Sequence, residues 1–122
     1  MNKTKKLLPL ALLFYSLASN AGEWDKIDYT LLGIAGTGIM LDWSQTRYIV
    51  KHPQTFHELN PTLGNYPSIG SVNKFFLGRL ALHGTAAYIL PDPFRKLWLG
   101  SEIIIRFNTV KNNRSLGVGF NF

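Results

Sequence analysis

The chain has 122 residues and no cysteine. That absence excludes disulfides, thiol chemistry, iron–sulfur clusters and cysteine-ligated structural zinc. A domain of this size without disulfides must be held by its own core, by a membrane or by partners. Acidic residues are also scarce, 7 Asp and Glu against 13 Lys and Arg. The catalytic signatures are missing too: there is no G-x-S-x-G and no H-E-x-x-H, and Gly33-x-x-Gly36-x-Gly38 has neither the order nor the lysine of a P-loop. No internal repeat or low-complexity tract is present.

The N-terminus carries a recognisable pattern. Lys3, Lys5 and Lys6 form a basic stretch, Leu7 to Ala18 a short apolar run, and Ser19-Asn20-Ala21 a small-residue cleavage site. Residues 1–21 are expected to be a signal peptide, because an apolar run this short falls below the roughly 20 residues of a spanning helix. The remainder, 22–122, keeps ten basic and seven acidic residues, a net charge of +3. Nucleic-acid binding, which needs clustered Lys and Arg to neutralise phosphates, is not expected.

Three apolar segments follow. Helices are predicted at about 29–50, 69–90 and 94–110, with a Pro-rich loop over 51–68 marked by Pro53, Pro61 and Pro67 and a turn at Pro91-Asp92-Pro93. Segments of similar length with short connections predict an all-α, antiparallel three-helix bundle associated with a membrane. The tail from Ser115 to Phe122 alternates apolar with small or polar residues and is expected to be extended. That tail also fits the closing strand of a small outer-membrane β-barrel, the rival architecture. The barrel is disfavoured because Tyr29 to Leu41 and Phe75 to Leu90 are continuous apolar blocks rather than alternating strands.

None of the three segments is a charge-free run of 18 residues. Asp42 and Arg47 interrupt the first, Lys74 and Arg79 the second, Glu102 and Arg106 the third. Each charge near a helix centre costs roughly 2.5–3.5 kcal/mol on insertion scales, so lipid association requires the ions to face one another inside the bundle. The spacings allow that. Asp42, Gln45 and Thr46 share one helix face, Arg79 and His83 are i and i+4, and Glu102 and Arg106 repeat that spacing with the acid first. These seven residues form the expected internal polar cluster. In the loop, His57, Glu58 and Asn60 are the candidates for contact with a partner. His52 and His57 beside Glu58 lack the spacing of a zinc site, so no metal and no catalytic residue is assigned. Trp24, Trp98, Tyr29, Tyr48 and Tyr88 fall near segment ends, as interfacial anchors do, and Trp43 lies deeper.

The string Asp42-Trp43-x-Gln45-Thr46-Arg47, then Glu58-x-Asn60-Pro61-x-Leu63-Gly64-x-x-Pro67-Ser68, then Val72-Asn73-x-Phe75-Phe76, resembles a group of small bacterial and phage-associated membrane proteins. The resemblance spans about Asp42 to Phe76. It implies a helical, membrane-bound protein and brings neither a reaction nor a cofactor.

The expectation from these residues is a non-enzymatic scaffold or interaction protein of the bacterial cell envelope, in the inner membrane, with the periplasm and outer membrane as alternatives. Its partners would be membrane lipid and a protein or a second copy of the chain. Two other classes stay open: a holin-like membrane-permeabilising protein, and a membrane-embedded hydrolase or metalloenzyme using His52, His57, Glu58 or His83.

Overall fold

The computed structural model describes residues 22–122 and, before them, only Pro9, Leu12 and Leu13. The expected signal peptide thus lies almost entirely outside the described residues. Three helices make up the fold: α1, Lys26–Lys51; α2, Ile69–Ile89; and α3, Phe94–Ser115. No strand occurs among the described residues, which form an all-α bundle.

Local chemistry sets the helix ends. α1 begins three residues earlier than its apolar pattern, because Asp25 and Asp28 close a reciprocal capping box. The Asp28 N–H donates to Asp25 Oδ1 at 2.8 Å, and the Asp25 N–H donates to Asp28 Oδ2 at 3.0 Å. α2 opens on Ser68, whose hydroxyl accepts from the Ser71 N–H at 3.1 Å. α3 runs on to Ser115, five residues beyond its predicted end near Val110. Gly117, at φ +88°, then ends it. The Gly117 N–H donates to the Arg114 carbonyl and the Val118 N–H to that of Asn113, the paired bonds of a Schellman motif.

Cross-helix contacts fix the topology. From the start of α1 upward, Asp28 meets Arg95, Asp42 meets Arg106, and Gln45 meets Val110, so α1 and α3 run parallel. α2 runs against both: Ala35 packs with Ala87, while Trp43 stacks on Phe76 with ring centroids 6.0 Å apart. The core is small and in two parts. Ala35, Ala87 and Leu99 form one cluster and Ile39, Val72 and Phe76 the other, and Trp24, Trp98 and Trp43 lean on them.

α1 and α3 approach closely at Gly38. A Cβ there would lie 3.0 Å from Arg106 Cβ and 3.0 Å from Phe107 Cε2, whereas one at Gly36 would meet nothing within 4 Å. Gly38→Val should therefore lower stability by about 1–3 kcal/mol through overpacking. Gly36→Ala should be neutral or raise it by up to about 1 kcal/mol through helix propensity. Thermal unfolding followed by circular dichroism compares the two, and equal effects would contradict the close contact at Gly38.

The tail from Val118 does not pair as a strand. It turns back along α1, where the Asn121 N–H donates to the Ser44 carbonyl at 3.1 Å and to Ser44 Oγ at 2.7 Å. Arg47 Nε donates to the Asn121 carbonyl at 3.2 Å, and Val118 is buried.

Among the described residues, no helix is long and apolar enough to cross a membrane. Each has at least 21 residues but is interrupted by ionisable groups. The expectation that the three segments are transmembrane helices therefore finds no support in the helices taken singly.

Candidate functional site

The bundle buries eight polar or charged side chains beside nine apolar ones. Asp28, Asp42, Ser44, Gln45, Thr46, His83, Arg95 and Glu102 are all buried, Gln45 and Arg95 completely. Large apolar side chains are exposed as well. Leu97 and Ile104 are each 65 % exposed, and Ile34, Met40, Leu77 and Leu82 are exposed too. The exposed charges on the helices, Lys26, Lys51, Lys74, Lys111 and Arg114, all lie within two turns of a helix end. Arg79, about a third exposed, is the one mid-helix cation that reaches partly outward.

The mid-bundle ions form a quartet. Arg106 donates from Nη1 to Asp42 Oδ2 at 2.6 Å and from Nε to Glu102 Oε1 at 2.7 Å. Arg79 Nη2 stands 3.7 Å from Glu102 Oε2. Two carboxylates thus face two guanidinium groups, and the cluster is formally neutral. His83 sits beside it, with Nδ1 3.9 Å from Glu102 Oε2, too far for a hydrogen bond, and its ring stacks on Trp98 at 5.1 Å. Neither ring nitrogen of His83 has a hydrogen-bond partner.

Of the seven residues expected in one cluster, the structure brings together Asp42, Arg79, His83, Glu102 and Arg106. Gln45 and Thr46 do other work. Gln45 Nε2 donates to the Val110 carbonyl at 3.0 Å, and its Oε1 accepts from Asn113 Nδ2 at 3.0 Å, which ties α1 to the end of α3. Thr46 donates to the carbonyl of Asp42 at 3.0 Å. Trp43 and Arg47 share an acceptor on α2, Asn73 Oδ1, at 2.9 and 2.8 Å.

A second ionic centre, at the end of the bundle where α1 begins, was not anticipated from the sequence. Arg95 donates from Nε to the Ala87 carbonyl at 2.9 Å and from Nη1 to Asp28 Oδ2 at 3.2 Å, with its guanidinium 4.8 Å from the Trp24 ring. Lys96 Nζ lies 3.0 Å from Asp25, 3.0 Å from Asp28 and 2.9 Å from Asp92. The Asp28 backbone N–H and then the Lys96 ammonium hold the Asp25 carboxyl below the usual carboxylate range. These three carboxylates are spaced as a metal would need, but the ammonium already supplies the positive charge. Two sequence signals were available: the capping pair Asp25-x-x-Asp28 and the i,i+4 pair Asp92-x-x-x-Lys96.

The loop folds over the opposite end. The Glu58 N–H donates to the Asn65 carbonyl at 2.9 Å, and Asn60 Oδ1 accepts from the Thr62 N–H at 3.0 Å. Glu58 and Asn60 line a cavity of about 290 Å³ whose other walls include Asp42, Arg106, Phe75 and Phe76. His57 is at its rim, near Tyr66, with ring centroids 6.5 Å apart. His52 points elsewhere: its Nδ1 meets the Tyr48 carbonyl at 2.8 Å and its ring stacks on Tyr48. The loop candidates and two members of the quartet, Asp42 and Arg106, separate in the sequence, thus line one cavity.

No protein-family model, curated protein or solved structure matches this chain.

Proposed function

We propose that this chain is a small, non-enzymatic membrane protein of the bacterial cell envelope that acts as a scaffold or interaction module. Residues 1–21 serve as its export signal, and the bundle is seated in lipid as one unit. One observation carries this reading: ionisable groups from all three helices are buried against one another while many large apolar side chains are exposed. In water, exposing that much apolar surface is unfavourable, and burying ions in place of leucines costs several kcal/mol per ion. In lipid the exposed apolar side chains are favoured, and the charges, costly there, are accommodated by facing one another or reaching the interface.

The ends of the bundle support the same reading. One end gathers Arg47, Lys51, Lys74, Lys111 and Arg114 against a single carboxylate, Glu58. The other holds four carboxylates against three cations. A bias of this kind orients a membrane protein with its basic end toward the cytoplasm. Trp24, Tyr29 and Tyr88 lie together at the acidic end, in the positions of interfacial anchors. The sequence resemblance from Asp42 to Phe76 points to the same class, and the loop 52–68 offers Glu58 and Asn60 to a partner.

The test is fractionation of cells expressing the full chain. The protein should stay with the inner membrane through high-salt and alkaline carbonate washes and require detergent for release. Recovery in the aqueous wash would overturn the reading.

A further inference from the structure

The cavity beneath the loop is rich in unused hydrogen-bond acceptors. Asp42 is 5 % exposed, spends Oδ2 on Arg106, and receives no hydrogen bond at Oδ1. Glu58 accepts the Leu59 and Asn60 N–H groups at one oxygen, Oε1, and nothing at the other. Thr46 and Thr109 spend their hydroxyl protons on the carbonyls of Asp42 and Ile105, which leaves both oxygens as acceptors. Arg106, the one permanent cation in the lining, is already engaged by Asp42 and Glu102.

Charge and shape agree with that inventory. Among the lining side chains, the carboxylates of Asp42 and Glu58 stand against the single guanidinium of Arg106, which Glu102 also engages. The remaining walls include the aromatic rings of Phe56, Phe75 and Phe76. At about 290 Å³ the space lies at the small end of ligand pockets. An occupant that fits must donate several hydrogen bonds, carry positive charge and present an apolar part to the aromatic wall, where the ring faces also attract a cation.

We infer that this cavity binds a small organic ammonium bearing one apolar group, its nitrogen held between Asp42 and Glu58 and its apolar body against Phe56, Phe75 and Phe76. Asp42 and Glu58 are positioned for it by different means. Asp42 is clamped by Arg106 from α3, and Glu58 by the backbone turn it caps. This site does not depend on where the bundle resides.

The experiment is calorimetric titration of the purified full chain in a non-ionic detergent with 2-phenylethylamine, 2-phenylethanol and 3-phenylpropanoate. The amine should bind, the alcohol about ten-fold or more weakly, and the carboxylate not at all. Glu58→Gln keeps the Oε1 acceptor and therefore the turn. It should leave helicity and unfolding temperature unchanged while weakening the amine by about ten-fold. Equal binding of all three probes, no binding of the amine, or unaltered amine binding by Glu58→Gln would each overturn the assignment. Cell fractionation is unaffected by any of these outcomes, so failure here and failure of the membrane reading are told apart.

Discussion

Replacing Arg106 with methionine should destabilise this protein more than any other single change to its ion pairs. The side chain is 13 % exposed and bonds two carboxylates, Asp42 and Glu102, whose side chains are 7 % and 6 % exposed. Methionine keeps most of the apolar stem but leaves Asp42 with no cation. Glu102 would retain only Arg79, 3.7 Å away. Breaking a buried pair by removing one partner typically costs about 3–5 kcal/mol, because the other charge stays buried without compensation. For a domain of this size that is a fall in unfolding temperature of roughly 15 °C or more. Circular dichroism in mild detergent reads it directly. Asp42→Leu alone should cost less, since Arg106 still has Glu102. The double variant Asp42→Leu/Arg106→Met should lose less than the two single losses added together, the mark of a coupled pair. Additive losses would mean that the two side chains do not share an ion pair.

The second large effect is expected at Arg95. This guanidinium is completely buried and joins three segments: the Ala87 carbonyl near the end of α2, Asp28 on α1, and the Trp24 ring. Arg95→Met should cost about 3 kcal/mol, because the Ala87 carbonyl loses its donor and Asp28 one of its two cations. Arg95→Lys should rescue little, since an ammonium does not reproduce the planar fork that reaches two acceptors at once. Lys96→Met is the control. Lys96 touches the same Asp28 but is 28 % exposed, and its pairs to Asp25 and Asp92 are solvent-screened, so the loss should be much the smaller of the two. Equal losses for Arg95→Met and Lys96→Met in chemical unfolding would show that burial does not separate the two cations.

Much of the architecture is legible from local rules. The breakers Pro53, Pro61, Pro67 and Pro91-Asp92-Pro93 divide the chain where the helices divide, and α2 ends within one residue of its apolar pattern. Boundaries shift where a cap overrides hydropathy. Asp25 and Asp28 draw α1 back to Lys26, and the Schellman bonds at Gly117 set the end of α3 at Ser115, past the four polar residues that follow its apolar pattern. The spacing of Glu102 and Arg106 predicts their contact, because residues four apart share a helix face. Gln45 and Thr46 share a face with Asp42 on the same rule, yet they meet different partners. An i,i+4 pattern says which residues are neighbours on one helix and nothing about what stands opposite.

The amino-acid sequence alone determines that this protein is helical, how many helices follow the loop breakers, and that its apolar segments carry ions that must be neutralised. Only the tertiary structure decides which ions meet. Asp42 and Arg106 are 64 residues apart, and their contact depends on the rotation and register of α1 against α3, to which Gly38 contributes by admitting close approach. The same packing brings Glu58 over Asp42 and lays the tail along Ser44. Helix formation follows from bonds within four residues and is written in short spacings. The site is made by contacts across tens of residues, and those exist only once the helices have packed.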